Sequence, residues 1–348
     1  MKHCLLISLL ALMACGEDDP VPTRPYRMGF QNSGPRVTLE DFQRSLDLWT
    51  ARADAAIITT EVPWKELLDG QPAVDYVKNN YGALVERYRS LGFELWVYID
   101  PQNGLDRTSD ATELVNRGRS IAEPEIQSIY RRFTVVMDSL LQPEHLGLAL
   151  ETNLMRTAAP SSIYHGVKQA ANQLASELQA RQSQARLSVS IQAEDAWGKF
   201  SDGTYKGIDQ DFVDFPFMEE LGISSYPYFG FDRPEDIPTN YYSRLVEGRT
   251  LPRFVSEGGW TSATAGPIVS SEEEQAAYIQ HHDRLLREGG CSAVFQLLFT
   301  DVDLDEWPQP IPENLPLFTS IGLMDIDFRA KPALARWETL FAQKRQTP

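Results

Sequence analysis

Two glutamates, Glu151 and Glu257, each follow directly on a short apolar run, Leu146-Gly-Leu-Ala-Leu150 and Arg253-Phe-Val-Ser256. A carboxyl at the end of a buried strand is held in one place and partly stripped of water, which suits proton transfer or nucleophilic attack. Two such groups about 5–5.5 Å apart, one protonated and one ionised, are what retaining glycoside hydrolysis requires. Further polar and aromatic residues end or follow other apolar runs. Asn32, Trp64, Asp100, Gln192, Tyr226, Tyr228, Trp260 and Gln296 are candidates for contacts to a sugar, and Asn153 lies just past Glu151. Glu194 also follows an apolar run and is the reserve acid/base candidate.

The elements that must position these residues alternate. Strand-like runs occur at 26–30, 55–60, 93–99, 146–150, 187–191, 221–225, 253–256 and 293–297, several of them apolar throughout, as in parallel strands buried on both faces. Segments of helical period lie between and after them, near 39–54, 73–91, 119–141, 161–182, 208–220, 234–247, 271–288 and 331–345. Ser270-Ser-Glu-Glu-Glu274 is an N-terminal capping signal, and Leu91-Gly92 and Glu288-Gly-Gly290 are C-terminal ones. Eight strand–helix units predict a single α/β domain, a (β/α)8 TIM barrel over 26–348. A doubly wound sheet would carry a Gly-rich phosphate turn after its first strand, and Met28-Gly-Phe-Gln-Asn-Ser-Gly34 is not one. In such a barrel strands four and seven face each other across the C-terminal mouth, where Glu151 and Glu257 meet. The stretch 299–318, rich in Asp and Pro, reads as a long, solvated loop after strand eight.

Composition narrows the partners. The 348 residues carry 32 Lys+Arg against 49 Asp+Glu, a net charge of −17, and this argues against a nucleic-acid partner, which needs a basic footprint. Three cysteines and five histidines are too few for a disulfide framework or a Cys/His metal cluster. No metal or cofactor is expected. His281-His282 lies inside a helical segment and reads as a surface pair, and Cys291 as a small buried hydrophobe.

The first residues read as an address. Lys2 and His3 precede an apolar run ending in Leu12-Met-Ala-Cys15, a pattern that resembles the bacterial lipobox. The resemblance implies a signal peptide over 1–14 and acylation of Cys15, palmitate included. That places the protein in a bacterial cell envelope, lipid-anchored in a membrane on its periplasmic or outer face. Residues 15–25, acidic and then Pro-rich, read as a tether.

Phe254-Val-Ser-Glu257-Gly-Gly-Trp260 resembles the nucleophile segment of the clan of retaining glycoside hydrolases built on (β/α)8 barrels. Gly222-Ile-Ser-Ser-Tyr226-Pro-Tyr228 is similar to strand six of the endo-β-1,4-galactanase family in that clan, and Ile321-Gly-Leu-Met-Asp-Ile-Asp-Phe-Arg-Ala-Lys331 to the clan's closing segment. The resemblance implies that Glu257 attacks the anomeric carbon. Glu151, kept protonated by burial and its neighbour's charge, protonates the leaving oxygen and later activates water. Tyr226 or Tyr228 would hold Glu257 ionised, and Trp64 and Trp260 would stack on sugar faces. The implied substrate is a β-linked polysaccharide or oligosaccharide, galactan among them. One departure stands out: the clan places Asn before the acid/base, where this chain has Leu150. Asn153 or Gln192 takes over that contact, or the site is altered. The competing expectation is a lipid-anchored barrel that binds a glycan without cutting it, or presents a surface to another protein.

Overall fold

In this computed structural model residues 22–346 are described. The leader 1–14, Cys15 and the first part of the tether lie outside them. Eight parallel strands close into a barrel in sequence order: β1 (Arg27–Gln31), β2 (Ala55–Glu61), β3 (Glu94–Asp100), β4 (His145–Gly147), β5 (Arg186–Gln192), β6 (Glu220–Ser225), β7 (Arg253–Gly258) and β8 (Ala293–Gln296), with β8 pairing back to β1. The fold is the expected (β/α)8 barrel. The end of the tether is not a free spacer: Thr23–Arg24 pairs with Lys344–Arg345, and buried Arg24 bonds Asp54 at 2.8 Å.

The lumen is filled by inward side chains of β2, β3, β7 and β8, chiefly Ile57, Trp96, Tyr98, Phe254 and Phe295, joined by Leu150. Tyr98 reaches across the lumen to Ser188 on β5, 2.7 Å from its hydroxyl, and only glycine at 147 and 222 leaves room for its ring. Alternation on β6 therefore points Gly222 and Ser224 inward.

Local chemistry explains the departures from expectation. The segment 234–247 forms only two short 3-10 turns, Pro234–Asp236 and Ser243–Val246, because Pro238 keeps Ile237 extended between them. The helix expected over 208–220 spans Asp209–Asp214 and stops where Pro216 forces Phe215 out of helical geometry. Strand four ends at Gly147, after which Leu150 turns into the lumen instead of continuing the ladder. His282 is not on the surface. On the helix Glu272–Glu288, Gln275, Tyr278, Ile279, His282 and Leu285 share the face packed on the barrel, and His282 bonds the Tyr242 hydroxyl at 2.8 Å. The stretch 299–318 is solvated over much of its length, as expected, but tied down at its start: buried Lys331 bonds Asp301 at 2.6 Å, and Arg36 pairs with Asp303 at 3.1 Å. Among the described residues no helix is long and apolar enough to cross a membrane.

Candidate active site

Two backbone irregularities aim the glutamates. Along β7, Phe254 points into the lumen, so strict alternation would turn Ser256 inward and Glu257 outward. A bulge intervenes: Val255 pairs with Ile223, but the next partner of Ser224 is Glu257, leaving Ser256 as the extra residue. The bulge turns Glu257 back toward the barrel axis, the usual work of such a device beside a site. Glu151 lies past the end of β4 with φ 48° and ψ 46°, a left-handed conformation that non-glycine residues seldom adopt. Its backbone N–H is held by the Ser190 hydroxyl at 3.0 Å.

The two carboxyls meet at Ser224. Its Oγ lies 2.6 Å from Glu151 Oε1 and 2.9 Å from Glu257 Oε1. Those contacts hold the two oxygens no more than about 5.5 Å apart, the spacing of a retaining pair and shorter than the ~6.5–9.5 Å an inverting pair needs. Arg107 donates from Nε to Glu151 Oε2 at 2.8 Å and from Nη1 to Asp100 Oδ2 at 2.6 Å. A guanidinium only donates, so Oε2 of Glu151 carries no hydrogen and a proton on this carboxyl must sit on Oε1, facing Ser224.

Burial, reinforced by the charge of Glu151, pushes the Glu257 carboxyl up to about 7. The upward shift thus falls on the residue expected to be ionised. Burial also raises Asp100, and outweighs the opposing charge of Arg107.

These groups open into a cavity of about 650 Å³ at the C-terminal mouth, within the range that holds a small-molecule ligand. Of the expected contact residues, Asp100, Gln192 and Tyr226 line it with Glu151 and Glu257. The others are engaged elsewhere. Asn32 accepts from Trp49 Nε1 at 3.1 Å, Tyr228 donates to the Leu317 carbonyl at 3.1 Å, and Gln296 donates to the Ile321 carbonyl at 2.7 Å. Trp260 is buried, bonds Ser270 at 2.9 Å and stacks on Tyr278, while Trp64 is buried in the outer core; neither faces the cavity. Asn153 is locked to the backbone of Gln192 by bonds of 2.9 and 2.8 Å, so it does not stand in for the missing Asn at Leu150. Gln192 spends its own amide on Glu194 and the Asp195 N–H. The reserve candidate Glu194 is buried behind the wall, accepts from Tyr241 at 2.6 Å, and is pushed up to about 7 by that burial.

Arg107 and Ser224 were missed from sequence. Ser224 was legible in principle, since Gly222, Ser224 and Tyr226 share one face of a strand. Arg107 sits in an irregular loop and carries no periodic signal. Among the described residues no group of three or more His, Cys, Asp or Glu side chains is arranged to hold a metal ion.

No protein-family model matches the chain, and no curated protein matches it in sequence. Solved structures do. An exo-β-1,4-mannosidase from Opitutaceae bacterium strain TAV5 superimposes with TM-score 0.62 at 14% identity over 92% of this chain and 59% of its own. A GH5_18 protein from Streptomyces cattleya in complex with Manβ1-4GlcNAc gives TM-score 0.63 at 17% identity over 93% of this chain and 82% of its own. A family 39 glycoside hydrolase from Bacteroides cellulosilyticus WH2 gives 0.57 at 16% identity, over 92% of this chain and 64% of its own. The chain thus spans about three fifths of the mannosidase's length. At these identities the likeness is one of fold: the chain has the (β/α)8 barrel that these glycoside hydrolases also have.

Proposed function

We propose that the protein is a retaining glycoside hydrolase acting on a β-linked glycoside through Glu151 and Glu257. The observation that carries this reading is the pair itself, held at opposite ends of one serine with their oxygens within about 5.5 Å at the mouth of a barrel cavity. Glu257 attacks the anomeric carbon while Glu151 protonates the leaving oxygen. Water deprotonated by Glu151 then cleaves the glycosyl-enzyme and restores Glu257.

The roles need a proton on Glu151 and none on Glu257, and Ser224 supplies the path. The Glu257 carboxyl passes its proton to Ser224 Oγ as the Ser224 hydrogen moves to Glu151 Oε1. No charge is separated beyond the site. Galactan remains a candidate substrate through the Tyr226-Pro227-Tyr228 segment, of which Tyr226 faces the cavity. Cys15 is proposed as a lipid anchor to the bacterial envelope, and incorporation of a palmitate analogue that is lost in Cys15→Ser tests it.

The deciding experiment is hydrolysis of β-linked galactan, glucan, mannan and xylan and of the corresponding chromogenic β-glycosides, with the product anomer followed by NMR. Retention of the β anomer, abolished by Glu257→Gln, is expected. Activity that survives Glu257→Gln removes the nucleophile from this reading. Glycan binding without cutting is the second reading, favoured by Leu150 in the cavity wall and by Arg107 clamped on Glu151. Binding with no turnover across the panel would establish it.

A further inference from the structure

The cavity lining combines a set of polar side chains with a larger apolar surface. The polar groups include Gln31, Thr59, Thr60 and Asp100 from the ends of β1, β2 and β3, together with Glu151 and Glu257. An apolar wall comes from the helix Thr152–Ala158, the loops after β5 and β6, and the stretch that follows β8. It presents Leu154, Phe229, Leu298, Leu315, Leu317 and Phe318. Sugar hydroxyls placed against such a wall would lose water and gain no partner, at a cost for each one. Within the wall Phe229 packs edge-on against Phe318, their planes at 74°. At the rim Phe200, also lining the cavity, stays 44% exposed, so the apolar surface runs out to solvent.

The mouth is also bridged. Asn314 Nδ2 donates to the Leu105 carbonyl at 2.9 Å, joining the stretch after β8 to the loop after β3. Asp303 N–H donates to the Pro35 carbonyl at 2.8 Å, fastening the same stretch to the loop after β1. A polymer threading through needs a cleft open at both ends, and these ties fasten the stretch after β8 to the loops after β1 and β3. Among the lining side chains five carboxylates, Glu61, Asp100, Asp106, Glu151 and Glu257, face a single guanidinium, Arg107, which disfavours an anionic sugar.

We infer that the substrate is a β-glycoside in which one uncharged terminal sugar is joined to an apolar aglycone, the sugar lying at the carboxylates and the aglycone against the Leu/Phe wall. This deepens, and rests on, the hydrolase reading of the same cavity.

Methyl, butyl, octyl and phenyl β-glycosides of galactose, glucose and mannose test it, with the octyl compounds kept below their micelle concentration and matched β-linked disaccharides alongside. Each buried methylene contributes a factor of about four, so kcat/KM should rise at least about tenfold from methyl to octyl. The rise should flatten in Leu317→Asn and, independently, in Leu154→Asn, which comes from a different element should the first variant not fold. The phenyl compound separates an aromatic aglycone from an alkyl one. Equal kcat/KM for methyl and octyl glycosides, or disaccharides cleaved faster than either, would overturn the inference and leave the hydrolase standing. Tighter binding of octyl than methyl glycoside by calorimetry, with no turnover of any compound, would uphold the apolar site and remove the hydrolase. Equal binding with no turnover removes both.

Discussion

Ser224 Oγ touches Glu151 Oε1 at 2.6 Å and Glu257 Oε1 at 2.9 Å, and it has one hydrogen to serve both contacts. When the hydroxyl donates to one carboxylate, the other contact is a hydrogen bond only if that carboxyl brings a proton of its own. The trio is therefore complete with one carboxyl proton, the state a retaining pair needs at the start of its cycle.

Replacing Ser224 with Ala removes the bridge and leaves the carboxyls with nothing between them. A fall in kcat of about 100-fold is expected, the lower end of the range for a lost proton-transfer partner. The alkaline limb of the pH–rate profile, expected where the pair loses its one shared proton, should move. A kcat and pH profile both unchanged in Ser224→Ala would sink the relay.

Glu257→Gln should be inactive yet more stable than the native protein at pH 8. The folded-state pKa, about 7, lies above the ordinary 4.5. The folded protein thus holds this proton more tightly than the unfolded chain, and stability is lost as pH rises from about 4.5 through 7. Removing the titration should recover on the order of 3 kcal/mol at pH 8, and nothing below pH 4.5. Urea unfolding at the two pH values checks the sign.

Arg107→Met should destabilise, although it substitutes an apolar chain into a buried place. It would leave Asp100 and Glu151 facing each other without their shared cation, an expected cost of about 3–5 kcal/mol at neutral pH. The cost should shrink in acid, where the carboxyls take up protons. A denaturation midpoint equal to the native one at pH 7 would show that the bridge contributes no net stability.

At the opposite end of the barrel, His145 lies between Glu220 at 2.8 Å and Glu94 at 2.9 Å and stacks on Trp96 with ring centroids 3.8 Å apart. Burial works against the imidazolium, but hydrogen bonds and charges from Glu220 and Glu94 outweigh it and raise the His145 pKa above 6.5. A raised folded-state value means that the stabilisation is full below 6.5 and fades as pH climbs through that value. His145→Leu, which leaves Glu220 buried and unpaired, should cost about 3 kcal/mol at pH 6 and less at pH 9, read by chemical denaturation.

The barrel was legible because its signals are local. Apolar runs, capping serines and C-terminal glycines depend on near neighbours in the chain, and the strands fell within a residue or two of expectation except where β4 stops early. Glu151 and Glu257 were legible as candidates because each follows such a run. The aromatic contacts were not. Trp64 and Trp260 sit at strand ends as foreseen, yet which way a side chain turns there depends on loops that no period describes. His282 was misjudged for a related reason: adjacency to His281 says nothing about which face of the helix meets the barrel.

What the sequence by itself determined is the alternation of elements, hence the closed parallel barrel, and the presence of a carboxyl after each of strands four and seven. Hydrophobic period and strand count are enough for that, since eight parallel strands can bury both faces by closing on themselves. The tertiary structure decided the rest of the site. The bulge at Ser256 brings Glu257 inward, the left-handed turn at Glu151 sets its partner, and Ser224 and Arg107 arrive from other strands and loops to share protons and charge with them. Those relations join residues far apart in the chain through contacts of under 3 Å, and distances of that kind exist only once the chain has closed.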